Sequence, residues 1–202
     1  MNDTKDHFAH KAKDYEKETR RVDNVKNIAD GILKELTYTK DMHIMDFGSG
    51  TGLLTSKIAP YVKKITAIDM STSMNEVLRE KIPNYPCELE VLQHDLSKEI
   101  PNQKFDGIIS SMTIHHVKDT KKLFNTFYEL LNKNGTIALA DLEPEDGSFH
   151  TTDTGVFHFG FDKNDFYNIA KDAGFKNLKI QTISIAKKPY GDFPIFLLTG
   201  KK

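Results

Sequence analysis

The sequence predicts an α/β fold built on a largely parallel sheet. Two observations lead to this fold class. Short apolar runs alternate with amphipathic segments from residue 43 to residue 140, and this alternation favours parallel strands joined by right-handed helical crossovers. The first apolar run also leads directly into a glycine-rich turn and then into a helical pattern, which is the arrangement that binds ligands in such folds.

The composition is that of an ordinary globular chain of about one domain. With 202 residues, 38% of them hydrophobic, the chain can bury a substantial core. Its 28 basic and 29 acidic residues nearly cancel, so we expect neither nucleic acid nor a membrane surface as a partner. The single cysteine, Cys87, excludes an internal disulfide, and no apolar run approaches the roughly 20 residues of a membrane span. The N-terminal residues lack the apolar core of a signal peptide, so we expect a cytoplasmic protein.

The glycine-rich turn is the strongest motif of the chain, and its sequence is Asp46-Phe47-Gly48-Ser49-Gly50-Thr51-Gly52. Glycines can adopt positive φ and let a ligand approach the backbone closely. The spacing differs from the dinucleotide fingerprint G-x-G-x-x-G, because Leu53 stands in the place of the third glycine. The pattern instead resembles the first motif of class I S-adenosylmethionine-dependent methyltransferases. A glycine turn without a ligand is the alternative interpretation.

A second motif follows the predicted strand Ile65–Ile68. Asp69 lies 17 positions beyond the last glycine of the turn, close to the roughly 20 residues that separate a glycine-rich turn from a ribose-binding acid. Its carboxylate can accept hydrogen bonds from both ribose hydroxyls, and Met70 can lie flat on the adenine ring. Ser71 suits the N-cap of the next helix, which carries Met74. This run also resembles the methyltransferase family, the alternative being that Asp69 only caps the helix.

Two further strand ends complete the predicted cofactor site. After the third predicted strand, the resemblance assigns Asp95 to the adenine amino group and the backbone N–H of Leu96 to a ring nitrogen. The alternative is that Asp95 simply opens a turn. The fourth strand, residues 104–112, begins with a Phe-Asp-x-Ile pattern that is typical of the family, and it carries Ser110 and Ser111 to the same edge of the sheet.

This resemblance implies a Rossmann-like, doubly wound and mostly parallel sheet of seven strands in the order 3-2-1-4-5-7-6, with strand 7 antiparallel and helices on both faces. It points to small-molecule methyltransferases of the type 11/12 group, with S-adenosyl-L-methionine as the cofactor and S-adenosyl-L-homocysteine as the product. We expect a single domain over residues 1–202. It would comprise an N-terminal helical lid (1–40), a cofactor-binding core (41–142) and an acceptor-side loop with the C-terminal strands (143–202).

The N-terminal segment predicts two helices. The second, which ends near Leu36, carries a continuous apolar stripe and should pack on the sheet. The first has Phe8, Ala12 and Tyr15 at helical spacing. This spacing resembles the lid of small-molecule methyltransferases, in which a tyrosine closes over the methionine end of the cofactor. A tyrosine packed in the core is the alternative.

His115 and His116 follow the fourth strand and are the candidate catalytic residues, because a histidine titrates near neutral pH and can accept a proton from the methyl acceptor. The alternative is that they only order the loop beside the cofactor. We expect no metal site here, since adjacent residues on an extended segment point in opposite directions. A solvated acidic loop is likewise the favoured explanation for four nearby acids, Asp141, Glu143, Glu145 and Asp146.

The stretch from residue 143 to residue 160 is the least regular part of the chain, and long ordered loops tend to carry function. His150 and His158 lie there among phenylalanines at positions 149, 157, 159 and 161. This loop predicts an aromatic acceptor pocket or a lid, with ordinary packing as the alternative. Downstream, a helix over 162–173 precedes two β-rich runs that predict a terminal hairpin.

Taken together, these motifs predict an S-adenosylmethionine-dependent methyltransferase that acts on a small-molecule acceptor by in-line displacement. A non-catalytic cofactor-binding or regulatory module of the same fold is one alternative, because fold does not fix function. A nicotinamide-dependent oxidoreductase is another, which the missing third glycine disfavours. No pattern in the chain identifies the acceptor or an oligomeric state.

Overall fold

The structure is a computed structural model that describes Asp6, Ala9 and residues 12–150 and 154–202. Within these residues the chain forms seven strands: β1 His43–Phe47, β2 Lys64–Asp69, β3 Glu88–Gln93, β4 Phe105–Ser111, β5 Leu131–Leu142, β6 Lys176–Lys188 and β7 Gly191–Lys201. Five α-helices accompany them: α1 Thr19–Glu35, α2 Leu53–Ile58, α3 Thr72–Lys81, α4 Thr120–Leu130 and α5 Lys163–Asp172.

The seven strands form one sheet in the order β3-β2-β1-β4-β5-β7-β6. The first five strands pair in parallel, while β7 runs antiparallel to both β5 and β6. The predicted fold class and strand order are therefore confirmed. The register sets Phe47 beside Ile68 and Ser110, so the carboxyl ends of β1, β2 and β4 lie together at one edge of the sheet.

Each face of the sheet is covered by helices over its own hydrophobic core. On one face, Ile28 of α1 and Ile58 of α2 pack with strand residues such as Ile44. On the other, Phe124 of α4 and Phe166 of α5 pack with the next residue of β1, Met45, and with its neighbours. Successive residues of a strand point to opposite faces, so central strands buried on both sides must be apolar throughout. This explains the unbroken apolar runs in the sequence.

Two boundaries differ from the prediction. The segment before α1 is not a second long helix within the described residues, where it forms a single 3-10 turn, Ala12–Asp14; Phe8 lies outside the described residues. The Asn134-Gly135 pair in the sequence predicts the end of a helix with the strand after it, but strand β5 already begins at Leu131. Asn134 does adopt positive φ (66°), but the chain stays in the sheet and the β4–β5 register shifts there.

The helix starts agree well with the capping residues in the sequence. The Ser71 hydroxyl accepts from the backbone N–H of Met74 at the start of α3. Asp162 accepts from two backbone N–H groups at the start of α5, as N-cap residues do. In the part of the chain that the structure describes, no helix has the length and apolar character needed to cross a membrane.

Candidate active site

A cavity of about 990 Å³ lies at the carboxyl edge of the parallel strands. Its walls are the glycine-rich turn after β1, the start of α3, the loop after β4, and residues of the loop after β5. Ligands bind at this edge in open parallel sheets, where the strand order reverses between β1 and β4. The sequence-predicted site residues lie in or directly behind these walls.

Gly50 forms the wall of the cavity at the centre of the glycine-rich turn. It adopts a φ of +54°, and a side chain added there would meet no atom within 4 Å. Its backbone N–H donates to Oδ2 of Asp69 over 2.8 Å. The neighbouring N–H groups of Gly48 and Ser49 both donate to the carbonyl of Ile68. The turn is therefore fixed to the end of β2, with open space in front of Gly50.

Asp69 lies in the same wall, and its second oxygen accepts from the backbone N–H of Ser71 over 2.8 Å. Burial raises the pKa of its carboxyl, and the hydrogen bonds from Ser71 and Gly50 oppose that rise. The N-cap of α3 is Ser71 and not Asp69. Asp69 joins the glycine-rich turn to the α3 entrance beside the cavity.

The segment before α1 contributes to the wall of the cavity. Tyr15 lines it and stacks on the Arg21 guanidinium, 4.0 Å from the ring centroid, and burial raises the pKa of its hydroxyl. Glu16 accepts from the Thr51 hydroxyl over 2.6 Å and pairs with Lys81. These contacts tie the segment to the glycine-rich turn.

The remaining predicted adenine-side residues also line the cavity: Met70, Met74, Asp95 and Leu96. Met74 and Leu96 are buried, whereas Met70 is 53% exposed. The Asp95 carboxylate accepts from the backbone and the hydroxyl of Ser97 and pairs with Lys98 over 3.1 Å. Partial burial acts to raise the pKa of Asp95, but these partners outweigh it and lower the pKa. Asp95 thus opens a turn and also lies at the cavity.

Asp46, at the end of β1, is the most deeply buried acid of the turn region. Its side chain is 1% exposed and accepts from the Thr55 hydroxyl over 2.5 Å. Burial raises the pKa of Asp46 to about 7, and the Asp69 charge adds to the rise. Asp46 therefore carries a proton for part of the time near neutral pH.

Two predicted residues lie behind the cavity wall instead of in it. Ser110 is fully buried and its hydroxyl donates to the Phe47 carbonyl over 2.8 Å, so it joins β4 to β1. Gly52 packs against Leu78 and Tyr85, whose atoms come within 2.5 Å of where a Cβ would stand. Neither residue is among those that line the cavity.

Two hydroxyl groups in the wall point to a polar ligand. The buried oxygens of Ser49 and Ser111 have no hydrogen-bond partner among the described residues, and both residues line the cavity. Buried polar atoms are rarely left unpaired in native proteins. A ligand with hydrogen-bonding groups in the cavity would satisfy them.

The loop after β4 brings His115 against a buried acid. Ile114–His116 form a 3-10 turn, preceded by Met112 with a φ of 58°. Asp141, at the end of β5, lies 2.6 Å from Nδ1 of His115 and also accepts from the backbone N–H of His115 and of Leu142. Burial acts to raise the pKa of Asp141, but His115 and these donors outweigh it and lower the pKa.

Two more histidine rings lie beside His115 in the cavity wall. The ring centroids of His115 and His116 are 4.3 Å apart. Nε2 of His150 lies 3.2 Å from Nε2 of His115, and the Thr154 hydroxyl lies 3.1 Å from Nδ1 of His150. The argument that adjacent histidines must point apart is therefore wrong here, because the segment is a turn and not an extended strand.

The comparisons with known proteins agree with this geometry. A family model described as "Methyltransferase domain" matches residues 45–139. An uncharacterized methyltransferase of Schizosaccharomyces pombe is 33% identical over 156 residues, which cover 69% of this chain and 55% of that protein. The chain spans about half the length of the curated relatives that it matches.

The chain belongs to the methyltransferase family.

Solved structures support the fold of this methyltransferase-family chain. A Haemonchus contortus phosphoethanolamine N-methyltransferase, in complex with phosphomonomethylethanolamine and S-adenosylhomocysteine, superposes with a TM-score of 0.71 at 18% identity, over 87% of this chain and 52% of its own. The [4+2]-cyclase SpnF gives the same TM-score at 14% identity, over 87% of this chain and 79% of its own. At these identities the likeness concerns the fold alone.

The loop after β5 divides its aromatic residues between two roles. Phe149 and Phe157 line the cavity, while Phe161 is buried in the core beside α5. Nε2–H of His158 donates to the Val117 carbonyl over 2.9 Å, and His158 does not line the cavity. Of the four phenylalanines of this loop, Phe149 and Phe157 are therefore the two that lie at the cavity.

The acids of this region have separate local partners. Glu143 pairs with Lys163, Glu145 accepts from the backbone of Gly147 and Phe149, and Asp146 accepts from the backbone of Ser148. They do not form a cluster among the described residues.

The contacts of His115 with Asp141 and His150 could not be found from the sequence, because no local spacing relates residues that are 26 and 35 positions apart.

Proposed function

We propose that this chain binds S-adenosylmethionine and transfers its methyl group to a small-molecule acceptor. One observation carries the proposal: the glycine-rich turn and Asp69 form one wall of a large cavity, with open space in front of Gly50. The residue types fit the cofactor, since a carboxylate suits the ribose hydroxyls and the unpartnered Ser49 and Ser111 hydroxyls suit a polar ligand.

In this proposal, Asp69 accepts from the ribose, and Met70, Met74, Asp95 and Leu96 surround the adenine. Tyr15 lies over the methionine end, where its segment is tied to the turn through Glu16. Bound S-adenosylmethionine supplies a methyl group on a sulfonium centre that is already electrophilic. The protein's task is then to align the acceptor and to exclude water, and alignment of this kind can lower a barrier by about 7–11 kcal/mol.

The cavity has room for an acceptor beside the cofactor. Its volume of about 990 Å³ lies at the upper end of the 300–1,000 Å³ that is usual for small-molecule sites. The histidines and Phe149 line the part contributed by the loops after β4 and β5. His116 and His115 are the candidate proton acceptors, with Asp141 orienting the His115 ring.

Titration calorimetry with S-adenosylmethionine, S-adenosylhomocysteine and NADH tests the proposal. We expect micromolar binding of the first two ligands and none of NADH. Binding of NADH alone would overturn the proposal in favour of an oxidoreductase. The chain does contain a Tyr-x-x-x-Lys spacing, Tyr167 to Lys171 on α5, but neither residue lines the cavity.

A transfer assay separates an enzyme from a non-catalytic module. Methyl-labelled S-adenosylmethionine is incubated with the protein and a panel of small hydroxyl, amine and thiol acceptors. We expect labelled product with at least one class of acceptor. Tight cofactor binding without transfer to any of them would favour the non-catalytic module.

A further inference from the structure

Three histidines from two separate loops meet in the cavity wall. His115 and His116 come from the 3-10 turn after β4, and His150 comes from the loop after β5. A ring nitrogen of each lies within 4.8 Å of the others. Imidazole is the protein ligand best suited to divalent transition metals such as Zn²⁺.

The spacing of the nearest pair already suits a metal ion. Zn–N bonds of about 2.0–2.1 Å in a tetrahedral site separate two ligand nitrogens by roughly 3.3 Å. The Nε2 atoms of His115 and His150 are 3.2 Å apart. The ligand nitrogens of the three residues lie within 4.8 Å of one another, so the His116 nitrogen must come closer to the other two to bind the same ion.

Each of the three rings also has an oxygen at its Nδ1 atom. Nδ1 of His115 faces the Asp141 carboxylate at 2.6 Å, Nδ1 of His116 faces the Gly155 carbonyl at 3.3 Å, and Nδ1 of His150 faces the Thr154 hydroxyl at 3.1 Å. Metal-bound histidines almost always place their other nitrogen on a carboxylate, carbonyl or hydroxyl oxygen, which fixes the tautomer with Nε2 towards the metal.

The Thr154 hydroxyl lets His150 change tautomer without losing a hydrogen bond. In the metal-free cluster, Nε2–H of His150 can donate to Nε2 of His115 while Nδ1 accepts from Thr154. With a metal bound, the proton moves to Nδ1 and the hydroxyl accepts it instead, since a hydroxyl can act in both ways. Nδ1 of His150 thus keeps its hydrogen bond to Thr154 in both states, so the cluster is compatible with either tautomer.

We propose that His115, His116 and His150 bind one divalent transition-metal ion of the Zn²⁺ class in the acceptor end of the cavity. Among the described residues the site has three protein ligands, which is the number found in catalytic zinc sites that keep a fourth position for water or substrate. The buried Asp141 carboxylate behind His115 adds a negative charge that favours a dication.

All three residues line the cavity, so we expect a fourth coordination position to be reached from it. A metal ion there would bind the hydroxyl or thiol of an acceptor and lower its pKa; this extension rests on the proposed function, whereas metal binding itself does not. Histidines that hold a metal cannot also serve as proton acceptors, so metal binding would replace the general-base role of His116 and His115.

The test is titration of tag-free, chelator-treated full chain with Co²⁺, followed by visible absorption, and with Zn²⁺, followed by calorimetry. We expect one ion per chain with micromolar or tighter affinity, and a Co²⁺ spectrum of tetrahedral type. His150→Ala should weaken binding at least about tenfold, and Asp141→Asn by about 10- to 100-fold.

His158→Ala is the matched control, because it removes a histidine from the same loop that does not line the cavity. Its metal affinity should equal that of the wild type. The proposal is overturned if the wild type binds no metal, or if His150→Ala binds as tightly as the wild type while its circular dichroism shows a folded chain.

Calorimetry with S-adenosylmethionine on the metal-free protein keeps this result separate from the proposed function. Metal binding without cofactor binding would support the metal site and contradict the methyltransferase proposal. Cofactor binding without metal binding would overturn the metal site and leave His115 and His116 as candidate proton acceptors.

Discussion

Oδ2 of Asp69 accepts a hydrogen bond from the backbone N–H of Gly50 over 2.8 Å. Through Oδ1, the same carboxylate holds the N–H of Ser71 at the entrance to α3. One side chain therefore joins two walls of the cavity, each formed by a different crossover of the sheet. Substitutions of Asp69 should therefore affect cofactor binding in two ways. They remove the negative charge, and they remove the hydrogen bond that holds the glycine-rich turn.

Asp69→Ala should weaken S-adenosylmethionine binding by about 1.5–3 kcal/mol, the usual value of hydrogen bonds to a charged group. This corresponds to a Kd roughly 10- to 100-fold higher. Asp69→Asn keeps an acceptor for the Gly50 N–H and should lose less. Calorimetry measures both, and an unchanged Kd in Asp69→Ala would rule out the ribose assignment.

Gly50→Ala should abolish most cofactor affinity while costing only about 1–2 kcal/mol of stability. The stability cost comes from the positive φ of 54°, which L-residues with a Cβ adopt at about that cost. The affinity loss comes from the methyl group, which would occupy the space in front of the turn.

Gly147→Ala is the matched control for Gly50→Ala. Gly147 has a φ of 89°, and the nearest atom to an added Cβ is 3.5 Å away on Phe159, yet it does not line the cavity. Thermal melts should show similar destabilisation of both variants, and only Gly50→Ala should lose cofactor binding. Equal cofactor affinity in the two variants would contradict a ligand at the turn.

Asp46 should make the folded state less stable as pH rises. Its pKa is raised from 3.8 to about 7 by burial, so the folded state binds the proton more tightly than the unfolded state. The resulting stability is fully present below about pH 4 and is lost as pH rises through 7. A difference of about three units corresponds to roughly 4 kcal/mol.

Asp46→Asn removes this titration and keeps an acceptor for the Thr55 hydroxyl. Urea unfolding at several values between about pH 4 and pH 8 should show the wild type losing stability relative to the variant as pH increases. Parallel curves for the two proteins would show that the Asp46 pKa is not raised.

His116→Ala should lower methyl transfer by at least about a hundredfold and change the Kd for S-adenosylmethionine little. We expect the rate to fall while the affinity stays, because His116 lies in the loop after β4 beside His115 and His150. Single-turnover assays with an acceptor found in the panel measure the rate, and His158→Ala should retain it. If cofactor affinity collapses instead, His116 belongs to the cofactor pocket.

The parallel strands and the positions of the turn residues could be predicted because local chemistry decides them, whereas the order of the seven strands was implied by the family resemblance. The apolar runs of β1, β2 and β4 are buried on both faces, and Ser71 caps α3 through its own hydroxyl. Gly50 has a positive φ of 54°, a conformation that glycine adopts readily and that a glycine-rich turn indicates from its own residues. Signals of this kind lie within a few residues of the element that they specify.

The histidine cluster could not be predicted, because its geometry depends on a backbone detail and on tertiary contacts. A 3-10 turn at Ile114–His116 places the two adjacent rings together, whereas an extended segment would separate them. The contacts with Asp141 and His150 exist only once β4, β5 and the following loop have packed. Ser110 shows a second limit of prediction. A serine at a strand end can face a ligand or bind the neighbouring strand, and the Ser110 hydroxyl donates to the Phe47 carbonyl of β1.

Strand β7 lies between β5 and β6, and this order has a consequence for how the chain folds during synthesis. Leu142 at the end of β5 pairs with Ile195 of β7, so β5 stays an open edge until β7 has emerged from the ribosome. Such edges can pair with other chains. We therefore expect the nascent protein to depend on chaperones until Lys201 has emerged, even though residues 43–142 already contain five paired strands.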